Sequence, residues 1–169
     1  DFLSLIDERM QCQMKIIEGL TSFKSAVSKK IFSQELRFKN NKGEHFPEWK
    51  NTKMGEVLSI PEKNKPNNID KGKLLTVKLH MKGVCKNENT DGLSIGSTSY
   101  YIRKQGQFIY GKQNLFNGAF GIVPVEFDGF LSSGDVPSLD VNSSKLSNIF
   151  LFYFFGRENF YKKLEDIAS

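Results

Sequence analysis

The sequence predicts an α+β fold, with a long coiled-coil helix followed by a domain that has a mainly antiparallel sheet and one flanking helix. Three observations support this prediction. Apolar residues recur every three or four positions in the first part of the chain, and apolar and polar residues alternate near the middle. A run of apolar residues at 149–155 is typical of a helix packed on a sheet. The predicted boundaries are 1–37 for the helix, 38–52 for a linker and 53–169 for the domain.

The long helix is predicted from a 3.5-residue period that persists to residue 31. The stretch contains no proline and one glycine, Gly19. A seam with this period must be filled by another helix, either the second helix of a longer protein or the same helix of a second copy in a homodimer. The predicted interface residues are Leu3, Ile6, Met10, Ile17, Leu20, Val27 and Ile31.

The composition fits a folded chain, since 38% of the residues are hydrophobic and fifteen are Phe. The longest apolar run, 149–155, is too short to cross a bilayer, so no membrane partner is expected. Cys12 and Cys85 form no C-x-x-C motif, which predicts reduced thiols and a cytoplasmic location. We expect the chain to be a fragment, because it starts without Met and stops where the pattern is still helical.

Positive charge is concentrated in the middle of the chain. Residues 51–115 carry a net charge of +6, against +2 for residues 1–50 and −3 for residues 116–169. Such an asymmetry favours binding to a polyanion such as nucleic acid. The alternative is a solvated lysine-rich surface.

Six further elements are predicted in the domain. Alternation over residues 74–82 predicts a half-buried strand, with Lys78, His80 and Lys82 on one outer face over roughly 13 Å. Other strands are predicted at 100–103 and 107–110, joined by a turn at Gly106, and at 118–125 and 127–132. A helix over 145–167, capped by Ser143 or Ser144, would cover the sheet.

No motif for catalysis, metal or cofactor binding is found. The stretch Gly106–Lys112 matches G-x-x-x-x-G-K, but Gln113 replaces the Ser or Thr that binds Mg²⁺, and the spacer predicts a strand. His45 and His80 have no cluster of metal ligands at a suitable spacing. The sequence therefore predicts a non-catalytic chain without a metal or cofactor.

Residues suited to contacts with double-stranded DNA lie in three segments. Lys78, His80 and Lys82 could hold neighbouring phosphates, unless that face is only solvated. A predicted loop at 112–114, with Asn117 after it, carries amide side chains near a lysine, and these residue types suit base edges in the major groove. The polar turn at 132–135 is a third candidate, for which a plain hairpin connection is the alternative. The residues added by the second and third segments are Lys112, Gln113, Asn114, Asn117 and Ser133.

Taken together, several segments resemble the specificity (S) subunit of type I restriction-modification enzymes. Their order and spacing over most of the chain carry the resemblance, since each motif alone is weak. The segments are residues 29–38, 46–50, 53–57, 100–110, 118–124, 128–133 and 160–169.

The resemblance implies a central spacer helix followed by the second target recognition domain, truncated before a second long helix that would pair with the first. It also implies a subunit without catalysis of its own, part of a restriction system. Methyltransferase (M) subunits and a restriction (R) subunit would supply the chemistry, and the S subunit would recognise one half of a bipartite DNA site. The alternative from another class is a coiled-coil protein-interaction adaptor without nucleic-acid binding.

Overall fold

The computed structural model describes residues 1–90 and 98–164, and contacts divide the chain into two units, Asp1–Lys50 and Asn51–Ser169. The fold is α+β, with a long N-terminal helix, mainly antiparallel sheets and a C-terminal helix, as the sequence predicts.

The first unit begins with helix α1, Phe2–Phe32, which is 31 residues long and buries none of them. It ends earlier than the predicted boundary because the chain turns at Ser33 and Gln34. The Ser33 N–H still donates to the carbonyl of Lys29, whereas Gln34 adopts a left-handed φ of 63°. Such a residue commonly ends a helix.

The segment after α1, predicted as a linker, is held by side chains within the first unit. The Arg37 guanidinium pairs with Glu48 and donates to two main-chain carbonyls beside it. The Phe32 and Trp49 rings meet edge to face at 6.1 Å. Asn40 closes a tight turn by accepting two main-chain N–H groups. The segment therefore has a defined path through its own unit.

The second unit is built from short elements. Its described helices are α2 Met54–Val57, α3 Asn148–Phe155 and α4 Glu158–Tyr161, and its 3₁₀ helices are Lys71–Lys73, Lys112–Asn117, Val125–Phe127 and Lys162–Leu164. The described strands are β1 Leu58–Ser59, β2 Leu75–Lys78, β3 Gly83–Lys86, β4 Tyr100–Ile102, β5 Phe108–Tyr110, β6 Phe120–Ile122, β7 Leu131–Ser133 and β8 Ser138–Val141.

These strands form one four-stranded sheet in the order β1-β8-β5-β6 and two pairs, β2-β3 and β4-β7. All named strand pairs are antiparallel. A single parallel bridge between Leu74 and Leu131 joins the start of the β2-β3 pair to β7.

The main core lies between the four-stranded sheet and α3. It contains Phe108 and Phe120 from the sheet and Leu151 and Phe155 from α3, and the rings of Phe108 and Phe155 are 5.1 Å apart. Burying these side chains supplies most of the stabilisation that such short strands need. The prediction that an apolar helix covers the sheet is confirmed.

The C-terminal helix differs from its prediction at both ends. It is capped by Ser147, whose Oγ accepts the N–H of Phe150, and not by Ser143 or Ser144. It stops at Phe155, before Gly156, and α4 follows as a separate short helix. The last predicted residues of the helix, from 165 on, lie outside the described residues.

The strand predicted at 118–125 ends before Pro124, and the strand predicted at 127–132 begins later, at Leu131. Pro124 has no N–H to give to a neighbouring strand. Its carbonyl accepts the N–H of Phe127 at 3.1 Å and starts the 3₁₀ helix Val125–Phe127. The strands on either side are reduced to β6 and β7.

Candidate nucleic-acid interface

The basic residues predicted on one strand lie on a hairpin instead. Lys78 ends β2, the chain turns over residues 79–82, and β3 returns antiparallel to β2. His80 and Lys82 therefore belong to the turn, and the prediction of a single strand with three basic side chains on one face is wrong. All three basic side chains are exposed.

The turn has an unusual backbone for its residues. His80 and Met81 have φ values of 59° and 58°, so two consecutive residues are left-handed. Two-residue turns of this kind strongly prefer Asn-Gly or similar pairs, because a side chain in this conformation is strained. Local sequence preference does not explain this turn, and its stabilisation must come from neighbouring elements.

The 3₁₀ helix Lys112–Asn117 provides that stabilisation through its C-terminal end. The His80 N–H donates to the carbonyl of Asn117 at 2.9 Å, and the Met81 N–H donates to the carbonyl of Gly118 at 2.8 Å. The Met81 side chain packs against the main core, where a Cβ on Gly156 would overlap it. The hairpin turn is thus fixed on both its main-chain and its core side.

The helix itself exposes its polar side chains and turns Leu115 to the core. Lys112, Gln113, Asn114 and Asn117 are exposed, and the Asn117 amide donates to Asn114 Oδ1 at 3.1 Å. The loop predicted here is therefore a short helix, and its C-terminal end is bonded to the hairpin turn.

The third predicted segment joins the start of this helix. The Lys112 N–H donates to the carbonyl of Asp135 at 2.9 Å, and Ser133 Oγ accepts the Asp135 N–H at 3.3 Å. The turn after Ser133 connects strands of two different sheets, because β7 pairs with β4 and β8 pairs with β5 and β1. The alternative of a plain hairpin connection is therefore wrong.

Main-chain hydrogen bonds thus join the three segments that carry the eight predicted DNA-binding residues. Within the described residues, no carboxylate forms an ion pair with Lys78, Lys82 or Lys112. We call this surface the hairpin–helix surface; it consists of residues 78–82, 112–117 and 133–135. Exposed cations beside exposed amides can bind phosphates and hydrogen-bond to base edges.

Sequence reasoning missed Arg103, which is buried and hydrogen-bonded to residues on both sides of the turn at 133–135. Its side chain is 5% exposed, and its guanidinium donates to Ser132 and Ser138. Burial lowers the pKa of Arg103, because water no longer solvates the charge. The only signal in the sequence is one arginine among the aromatic residues of a short strand.

A cleft of about 560 Å³ lies elsewhere in the second unit. Gln107 and Asp140 line it and are hydrogen-bonded to each other at 2.7 Å, and Asn148 lies at its edge. It contains none of the predicted DNA-binding residues. The described residues include no group of three metal-ligand side chains, and none of the described helices has the length and apolar character to span a membrane.

The predicted coiled-coil seam is exposed on α1. Leu3, Met10, Ile17 and Leu20 are all more than half exposed, Ile6 is 40% exposed, and the last two seam residues are half-buried. Sequence reasoning missed further exposed apolar side chains outside the seam, namely Phe2, Leu5, Met14, Ile16 and Phe23.

Comparison with known proteins gives no relative: no family model, no curated protein and no solved structure matches the chain.

Proposed function

We propose that the chain is a sequence-specific DNA-recognition module, the central helix and second target recognition domain of a type I restriction-modification specificity subunit. The observation that carries the proposal is the hairpin–helix surface, where main-chain hydrogen bonds join segments that expose Lys78, Lys82 and Lys112 and several amide side chains. The sequence resemblance to that family and the net charge of +6 over residues 51–115 support it.

In this proposal the lysines and the amides have different roles. Lys78 and Lys82, with His80, contact phosphates, which gives affinity without sequence preference. Gln113, Asn114 and Asn117 lie on the short helix and contact base edges, together with Lys112. Ser133 lies at the turn that bounds this surface, where its Oγ accepts the Asp135 N–H. The module has no catalysis of its own and acts in the cytoplasm.

Helix α1 has the complementary role of a spacer and scaffold. Its exposed seam would pack against the second helix of the full-length subunit, or against a second copy of this chain. The exposed apolar residues outside the seam, such as Ile16 and Phe23, leave a further face for the methyltransferase subunits. The restriction subunit would join the assembly through them.

The decisive experiment is selection of duplexes from a random-sequence library by the purified chain, followed by binding measurements on two variants. Lys78→Ala should weaken binding to the enriched duplex and to a shuffled duplex alike, and reduce the salt slope by about 1. Gln113→Ala should lower only the preference for the enriched duplex, by about 1–3 kcal/mol at one base pair.

A matched control is Lys53→Ala, which removes a lysine outside the hairpin–helix surface. It should leave the affinity for both duplexes and the salt slope unchanged. If Gln113→Ala lost affinity equally on both duplexes, as Lys78→Ala should, that result would contradict the assigned roles. Absence of any enriched motif would contradict sequence-specific recognition by this chain.

The adaptor alternative is favoured by one observation, the exposed apolar surface of α1. A protein-interaction adaptor would need that surface but not the charge asymmetry of the second unit. No retention on heparin at low salt would support the adaptor over the DNA-recognition module.

A further inference from the structure

Arg103 is the buried charged residue of the described second unit, and oxygen atoms surround its guanidinium. Nε donates to Ser132 Oγ at 2.7 Å, and Nη1 donates to Ser138 Oγ at 3.1 Å. Nη2 donates to the carbonyl of Val136 at 3.2 Å. Nη2 also donates to the carbonyl of Ser133 at 3.5 Å. All these partners are hydroxyls and carbonyls, so the guanidinium acts through its geometry and not through an ion pair with a described carboxylate.

The partners lie on both sides of one turn. Ser132 belongs to β7 and Ser138 begins β8, so the guanidinium bridges the two strands that the turn connects. Ser132 Oγ also donates to the carbonyl of Val136. A planar fork of five N–H donors can span acceptors in several directions, whereas a lysine ammonium cannot reach them all.

The same turn determines where the recognition helix begins. The carbonyl of Asp135, within the turn, accepts the Lys112 N–H at 2.9 Å, and the carbonyl of Pro137 accepts the Tyr110 N–H at 3.1 Å. Gln113 and Asn114 follow Lys112 directly. Displacement of the turn would therefore displace the side chains assigned to base edges.

We propose that Arg103 is a positioning residue for base recognition: it fixes the turn between β7 and β8, and through that turn the start of the Lys112–Asn117 helix. This inference rests on the proposed function. Because Arg103 is buried, it does not contact DNA itself. Its loss should therefore change discrimination between sequences and leave the phosphate contacts intact.

The test compares Arg103→Lys and Arg103→Gln with the wild-type chain on two probes, the enriched duplex and a shuffled duplex of the same composition. Both variants should lose about tenfold or more of the affinity ratio between the probes, which is the scale of one lost base contact. Both should keep the wild-type salt slope. Hydrogen exchange at the Lys112 amide should become faster in both.

The matched control is Arg157→Lys, which makes the same change at a guanidinium 3.8 Å from the centre of the Phe154 ring. Arg157 also donates to the carbonyl of Phe154 and lies 5.4 Å from the centre of the Phe160 ring. It should keep both the affinity ratio and the exchange rate at Lys112. If neither Arg103 variant folds, Ser138→Ala removes one acceptor and should give a smaller loss in the same direction.

If Arg103→Lys kept the wild-type affinity ratio, the proposal would be overturned. That result would mean that a positive charge is enough at this position and that the planar guanidinium donors are not needed for base discrimination. If both Arg103 variants are unfolded and Ser138→Ala keeps the wild-type affinity ratio between the two duplexes, the proposal is also overturned. If the wild-type chain enriches no motif, the proposed function fails, and exchange at the Lys112 amide still decides whether Arg103 holds the turn. An unchanged exchange rate in Arg103→Lys would show that it does not.

Discussion

The left-handed backbone of two residues in the β2-β3 turn is stabilised by hydrogen bonds to residues that are distant in the sequence. Left-handed backbone at His80 and Met81 costs about 1–2 kcal/mol per residue. Two main-chain hydrogen bonds from these residues, at 2.9 and 2.8 Å, offset that cost. No local pattern in the sequence indicates this turn, since the partners Asn117 and Gly118 are distant in sequence. Alternation alone therefore extended the predicted strand too far.

Gly118 is the residue at which this arrangement is most sensitive to substitution. Its φ is 73°, and an added Cβ would lie 3.1 Å from the Met81 nitrogen. Gly118→Ala should lower the free energy of unfolding by the left-handed cost of about 1–2 kcal/mol and by about 1–3 kcal/mol more from the close contact. Denaturant unfolding followed by circular dichroism measures the sum of these two losses of stability.

Gly129→Ala is the control for this substitution, because Gly129 has a similar φ of 76° with open space around its Cβ position. The two variants share the backbone strain and differ in the contact with the hairpin turn. Equal losses of stability in both would mean that Gly118 is not tightly packed against that turn.

Among the elements, those defined by a long repeating pattern were predictable and those defined by tertiary contacts were not. Helix α1 follows from its heptads, and the helix over the sheet follows from its apolar run. The cap at Ser147 was missed because three serines precede that helix closely, and sequence alone does not say which one meets a main-chain N–H. The exposed helix Lys112–Asn117 was predicted as a loop because its residues favour turns.

Association through α1 is testable at this scale. Sedimentation velocity at tens of micromolar should show a dimer of the wild-type chain, whereas Ile17→Asp should shift it towards monomer, because the seam cannot bury an unpaired carboxylate. Ser22→Asp, which lies outside the seam, should leave the dimer intact. A monomeric wild-type chain would contradict the second-copy arrangement.

For the whole molecule, the concentration of positive charge in residues 51–115 predicts binding to polyanions that weakens as salt is added. Retention on heparin should fall steeply between about 50 and 200 mM salt, because bound counterions are released when lysines meet phosphates. The double variant Lys78→Ala/Lys82→Ala should elute at lower salt than wild type. A Lys29→Ala/Lys30→Ala control at the end of α1 removes the same charge, and an equal shift would place the contacts outside the hairpin–helix surface.

The sequence suggests candidate residues for this surface, but it does not indicate how their segments meet. Residue type alone singled out Lys78, Gln113 and Asn114, since lysines and amides suit phosphates and bases. The sequence does not indicate that three separated segments meet, because their contacts run through main-chain groups that every residue has. It also does not indicate Arg103, whose partners are serines and carbonyls without a recognisable spacing.

Main-chain attachment has a consequence for how such a surface changes over time. The hairpin turn and the Lys112–Asn117 helix hold each other through N–H and carbonyl groups, so the side chains at positions 80 and 113 are not needed to keep them in place. A substitution there can alter which DNA is preferred without rebuilding the scaffold. Single substitutions at such positions could then change the preferred DNA sequence one at a time while the fold stays the same.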